Sequence, residues 1–294
     1  CPALPQNDSF QLVRGEQLLP GGSCANMLVT FAALGGQAKL LAKIGDDAFG
    51  APFRRTLRQD GVDDSLLITK PGGTTLHTYI WAAEGGEHAI MVNFGDSLLD
   101  WRAEDVDPAW LDDVDLFYSD LFPTKAALRL AELCREREIP VIICLECPPS
   151  FYRGIGVTQA EFEQILGLAD LIVSGREGYG ELTGEADYHA ALAEIYRQYQ
   201  PSLGAVCTAG DQGAAWLNAQ GMIEAPAFPV QPLDSTGAGD SFLGALLFSS
   251  FALGRPRPEA LRFAAAVGAM KCTVMGARIR PSQAEVEAFL AAHP

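Results

Sequence analysis

The sequence predicts an α/β protein with a central, mostly parallel sheet, helices on both of its faces and a small β lid. Two patterns point there. Short apolar strings rich in branched residues alternate with helical periodicity along nearly the whole chain, as strands joined by crossover helices do. One region breaks the alternation: two strand-like strings, 74–81 and 88–94, meet across Glu84-Gly85-Gly86-Glu87, which reads as a hairpin turn. Length agrees with a large core, because a chain of 294 residues buries roughly three quarters of its unfolded surface and needs no disulfide or metal staple.

In chain order, Pro20-Gly21-Gly22-Ser23-Cys24-Ala25-Asn26 opens a helix whose apolar face carries Met27, Val29, Phe31 and Leu34, and Gly35-Gly36 stops it. Residues 39–44 read as a strand and 47–59 as a helix, with the turn Gly45-Asp46-Asp47-Ala48-Phe49-Gly50 between them. Strand 114–119 precedes helix 125–138; strand 140–145, helix 158–168 and strand 170–174 follow. Residues 203–208 form a further strand, 225–230 are extended, and helices dominate from Gly239 onward, with 242–253 ending at Gly254 as a C-cap. Residues 21–70 and 95–294 are expected to form the core, and 1–20 and 71–94 the lid. Pro71-Gly72-Gly73 reads as one hinge, and the extended segment 9–19 as a possible third lid strand.

Charge narrows the function classes. With 21 basic against 37 acidic residues the net charge is −16, and a nucleic-acid partner, which demands a basic face, is excluded. A small anion is not, since backbone amides bind one without side-chain charge. No apolar run approaches the ~20 residues of a membrane span. The 7 cysteines lie mostly in apolar strings, which fits reduced, buried thiols and a cytoplasmic location, and nothing after Cys1 resembles a signal peptide. Cys144-Leu145-Glu146-Cys147 has CxxC spacing, but no second pair completes a zinc site. The histidines form no triad; His77, on the lid, could reach a substrate. Acidic clusters such as Asp112-Asp113 read as solvated surface.

The chemistry concentrates in Asp234-Ser235-Thr236-Gly237-Ala238-Gly239-Asp240. A glycine-rich turn here empties into a helix N-terminus, so converging N–H groups and the helix dipole can hold a phosphoryl group. Asp240 stands beside that anion hole, placed to accept a proton from an attacking hydroxyl. Read alone, the turn is an ordinary helix cap. Its company is what weighs against that: Gly21, Gly22 and Asn26 suit close approach by a hydroxyl-rich ligand. Thr208-Ala209-Gly210-Asp211-Gln212-Gly213 gives another glycine turn at a sheet edge, although Ala214 to Leu217 could return from it as a plain hairpin strand. Neither a P-loop nor a dinucleotide fingerprint is present.

On these residues the chain resembles the PfkB family of carbohydrate kinases, which have the ribokinase-like fold. The resemblance spans the chain and rests on two signatures in order, Gly21-Gly22 to Gly50 and Asp234 to Asp240. It implies ATP-dependent phosphorylation of a small sugar-like alcohol, with Asp240 as general base and the amides of Gly237, Ala238 and Gly239 as the anion hole. Thr208, Gly210, Asp211 and Gly213 would then serve the nucleotide, and Gly21, Gly22 and Asn26 the acceptor. It further implies Mg²⁺, and K⁺ held by loops at Asp234, Thr236 and residues 273–277. Glu177 stands where the family has the Glu of an Asn-x-x-Glu motif linked to Mg²⁺; here Ser174 replaces the Asn. The family's first strand, with an Asp for the acceptor, would lie before Cys1. Related kinases pair through the lid, so a homodimer is expected.

Two other readings share the scaffold. A nucleoside kinase would need an aromatic clamp, which Tyr79, Trp81 and Phe94 could supply, though lid packing also accounts for them. A catalytically idle sugar or nucleotide sensor would have no need of Asp240.

Overall fold

The computed structural model of the chain describes residues 4, 8, 10–82 and 88–293. The chain runs α1 (Ser23–Ala33), β1 (Ala42–Gly45), α2 (Gly50–Gln59), β2 (Leu67–Lys70), β3 (His77–Ala82), β4 (His88–Asn93), β5 (Phe117–Ser119), α3 (Thr124–Glu136) and β6 (Val141–Leu145). It continues through α4 (Pro149–Gly154), α5 (Gln159–Leu168), β7 (Leu171–Gly175), α6 (Arg176–Thr183), α7 (Tyr188–Tyr199), β8 (Gly204–Thr208), β9 (Ala214–Asn218) and β10 (Gly221–Ala225). Helices α8 (Ala238–Leu247), α9 (Arg257–Cys272) and α10 (Gln283–Ala292) close it.

The central sheet has the order β10-β9-β8-β7-β6-β5, with β5 to β8 parallel and β9 and β10 each reversing. Side-chain alternation splits the core into two layers. Val141, Ile143 and Leu145 of β6 face the cluster built on α3, α5 and α7, while Ile142 and Cys144 face α1, α8, α9 and α10. All five residues of β6 are buried, because helices cover both faces.

Several boundaries differ from the sequence reading. Lys39 makes only an isolated bridge to Asp63, and the strand begins at Ala42. Helix α2 starts at Gly50, not Asp47, because Asp47 Oδ1 accepts the amides of Phe49 (3.1 Å) and Gly50 (3.0 Å) and holds the residues before the helix in a turn. The parallel partner of β1, β2, and the edge strand β10 were not expected; four- and five-residue strands leave little periodicity to read. The hairpin reading of 208–217 holds, since β9 returns antiparallel to β8. The last turns after α8 widen into a π-helix, Phe248–Ala252, and Gly254 ends them at φ +62°.

In the lid, β3 and β4 pair antiparallel with Tyr79 opposite Met91 and Ile80 opposite Ile90. The turn at 84–87 lies outside the described residues, and no strand forms over 10–20. Asp47 also clamps the lid's root: its Oδ2 accepts from the Thr75 amide (2.8 Å), and Thr75 Oγ1 accepts from the Gly45 amide (3.0 Å). Burial pushes the Asp47 carboxyl up, but the hydrogen bonds from Thr75, Gly50 and Phe49 outweigh it and hold the carboxyl below its usual range. Gly45 must be glycine, because a Cβ would collide with the Gly73 carbonyl. His77 stacks on Phe49 at 4.4 Å, and Phe94 packs on Phe122 and Phe151 in the core. Both rings are thus held by protein neighbours. The six described cysteines are free, and no helix among the described residues is long and apolar enough to cross a membrane.

Candidate active site

The glycine-rich turn opens α8 as its sequence demands. Gly237 caps the helix in the left-handed region, φ +78°, and a Cβ there would collide with the Ala277 backbone. The Ala238 amide donates to Ser235 O (3.1 Å) and the Ser241 amide to Gly237 O (2.9 Å). Within the turn this engages the Ala238 amide, and the amides of Gly237, Gly239 and Asp240 are the ones left for an anion. Gly239 has a negative φ and open space where a Cβ would stand. Backbone strain in this turn thus belongs to Gly237, while the space beside Gly239 is open. Gly237→Ala should cost about 2–4 kcal/mol of stability through strain and overlap. Gly239→Ala should leave stability within about 0.5 kcal/mol but weaken ligand turnover; thermal denaturation and steady-state kinetics on the two variants check the contrast.

Asp240, the third residue of α8, is 8% exposed, and its Oδ2 accepts from Asn26 Nδ2 at 2.7 Å. Asn26 lies on α1, one turn after Gly22, whose φ of +88° sets the entry to the helix. The other end of the Asn26 amide, Oδ1, accepts from Arg278 Nε at 3.2 Å. A guanidinium only donates and a carboxylate only accepts, so this pair fixes which way the amide points. Arg278 in turn donates to Gly21 O (2.9 Å) and to Asp60 Oδ2 (3.0 Å), an ion pair whose side chains are only 2% and 3% exposed. The structure thus brings Gly21, Gly22, Asn26 and Asp240 together and adds Arg278 and Asp60.

Two more carboxylates bear on Asp240. Burial pushes its carboxyl well above the ordinary value; the charges of Glu146 and Asp120 push the same way, against the Asn26 hydrogen bond and the charge of Lys271. Burial likewise raises Glu146 and Asp120, while hydrogen bonds from Cys144, Tyr118 and Ser23 temper the first and those from Phe122 and Cys24 the second. Tyr118 Oη donates to Glu146 Oε1 at 3.3 Å. The result is a carboxyl group of raised proton affinity among like charges.

The nucleotide-side candidates divide. Thr208, at the end of β8, and Gly210, at φ +60°, line a cavity of about 210 Å³ together with Glu146, Gly175 and Glu177. Glu177 is exposed in the first turn of α6. Asp211 is exposed, whereas Gly213 is buried against the backbone at Ala225, where a Cβ would collide. Asp234 is not among the residues that line this cavity with Glu177. Its Oδ1 accepts from the Thr236 amide and its Oδ2 from the Gly276 amide, both at 2.9 Å. Burial pushes this carboxyl up, but those hydrogen bonds and the charge of Lys271 hold it below the usual range. Lys271, which the sequence reading passed over, is fully buried, with Nζ donating to Asp234 O (2.8 Å) and Val274 O (3.3 Å).

Known proteins share this fold. A family model described as pfkB family carbohydrate kinase matches residues 5–284. Fructokinase-1 of Zea mays is 30% identical over 288 residues, which cover 91% of this chain and 87% of that protein. The crystal structure of ribokinase from Thermotoga maritima matches with a TM-score of 0.80 at 23% identity, over 97% of this chain and 92% of that one. A fructokinase with bound ATP from Xylella fastidiosa matches with a TM-score of 0.78 at 25% identity, over 93% and 91%. The expectations for fold and family hold, and the chain belongs to the pfkB family of carbohydrate kinases.

Proposed function

We propose that this chain transfers the γ-phosphoryl group of ATP to a hydroxyl of a small sugar, with Asp240 as general base. One observation carries the reading: a buried carboxylate of raised proton affinity stands in the first turn of a helix, directly after Gly239, where open space stands in place of a side chain. The hydroxyl proton passes to Asp240 as the hydroxyl oxygen bonds to phosphorus, and the bond to the ADP oxygen breaks. Asn26 holds Oδ2 of the base, which leaves Oδ1 for the proton. The amides of Gly237, Gly239 and Asp240, at the positive end of α8, stabilise charge on the transferring group. Gly21, Gly22 and Asn26 form the acceptor side, and Thr208, Gly210 and Asp211 the nucleotide side.

Mg²⁺ fits this site. It binds through one or two carboxylates, waters and substrate phosphates, and so needs no protein cage. Among the described residues no three or more His, Cys, Asp or Glu side chains converge as a metal cluster, while Glu146 and Glu177 share the cavity beside Gly210. These two would hold the ion, which when bound neutralises the phosphate charge. Free thiols and an ATP-dependent reaction fit a cytoplasmic location.

The lid supports a homodimer. Tyr79 and Met91 on one face and Ile80 and Ile90 on the other are each about half exposed, and a lone hairpin is marginal in water. A second copy, lid against lid, would cover this area and help close the site to water. Sedimentation should show a dimer at micromolar concentration and a monomer for Ile90→Glu; a monomeric wild-type protein would remove the idea.

The decisive test of substrate class is ADP release screened over ketoses, aldoses, sugar acids, sugar phosphates and nucleosides. Turnover with a sugar is expected. Turnover with nucleosides alone would favour the nucleoside-kinase reading, and turnover with none the sensor.

A further inference from the structure

We propose that the Lys271 ammonium is the resident monovalent cation beneath the phosphate-binding turn, taking the place of a K⁺ ion there. The resemblance puts cation loops at Asp234, Thr236 and residues 273–277, and in the structure these loops do face each other. The amides of Leu233 and Asp234 donate to Cys272 O at 2.7 and 3.2 Å, and the Gly276 amide to Asp234 Oδ2 at 2.9 Å. Carbonyl oxygens from both loops, Asp234 O and Val274 O, then converge on Lys271 Nζ at 2.8 and 3.3 Å. The positive charge that such oxygens attract is already there, on a side chain that is fully buried. K⁺ does not fit beside it, because a second cation would share the same carbonyls and face an unscreened like charge.

The placement has a consequence for the site. Gly237, in its left-handed conformation, lies three residues from Asp234 and presses on Ala277, so the two loops joined by Lys271 also set the start of α8. The groups facing the ammonium are the Asp234 and Asp240 carboxylates and the Cys272 thiol, and its charge favours the ionised form of Asp240. Lys271 is therefore a positioning residue: it holds the turn without touching substrate. A free ion can be washed away, whereas a tethered one cannot. The enzyme should accordingly be indifferent to the monovalent cation in solution.

The test titrates KCl, NaCl and NH₄Cl against tetramethylammonium chloride at constant ionic strength, reading both thermal stability and turnover. The turnover arm rests on the kinase reading; the stability arm does not, so failure of one is distinguishable from failure of the other. For the wild type, both readouts should be flat. Lys271→Met and Lys271→Ala should lose kcat/KM by about 100-fold through a displaced turn. Both variants should regain stability and turnover with KCl or NH₄Cl, and Lys271→Ala also with methylamine. Severalfold activation of the wild type by K⁺, with a matching rise in Tm, would overturn the proposal. So would folded variants whose loss no cation relieves. If neither variant folds, the wild-type titration alone decides.

Discussion

Asp240→Asn should lower kcat by about 10²–10⁴-fold or more, the span expected when a general base is removed. ATP affinity should change little, because the amides at the start of α8 remain. Stability should hold or rise at neutral pH. The folded-state pKa of Asp240 is raised above its unfolded value, so its ionised form costs stability as pH rises through the folded pKa. A neutral amide removes that cost beside Glu146 and Asp120, and its oxygen can still accept from Asn26 Nδ2. Steady-state kcat, a nucleotide titration and thermal denaturation separate these effects. Near wild-type kcat would show that Asp240 is not the base.

Arg278→Leu should cost about 3–5 kcal/mol, because it leaves the Asp60 carboxylate buried without its main partner. Arg280, half exposed, keeps one contact to Asp60, which places the loss toward the lower end of that range. The same change frees the Asn26 amide to turn, so kcat should fall more than the affinity for ATP. Asp60→Asn in the Arg278→Leu background should recover stability, since it removes the stranded charge, but should not recover kcat. Chemical denaturation with a double-mutant cycle, alongside kinetics, measures both. Recovery of kcat along with stability would mean that Arg278 serves the fold alone.

The sequence carried the local parts of this site and missed the distant ones. Glycines before Asp240 and before Asn26 announce helix starts that can approach a ligand, because turn chemistry is written in adjacent residues. The crossover pattern likewise announced the sheet. Asn26 meets Asp240 across 214 residues of chain, and Arg278 meets Asn26 across 252. No periodicity encodes such pairs. Glu146 stood only as part of the CxxC string, and neither Asp60 nor Lys271 was singled out. A lone lysine in an apolar helical run, shortly before Gly276-Ala277-Arg278, was the available signal for the last. Gly237 and Gly239 were indistinguishable in sequence, since only backbone geometry shows which one carries positive φ.

The most direct measurement of the central claim is the pH dependence of kcat/KM, compared between the wild type and Glu146→Gln. Asp240 must be ionised to accept a proton, so kcat/KM should rise with pH along a limb set by its pKa. Burial and the neighbouring carboxylates raise that pKa, so the limb should lie above the ordinary carboxylate range of about 4. Removing the Glu146 charge takes away the largest like-charge contribution, and the midpoint should move to lower pH whatever happens to the plateau. A limb at the ordinary value, or one that Glu146→Gln leaves in place, would contradict the account.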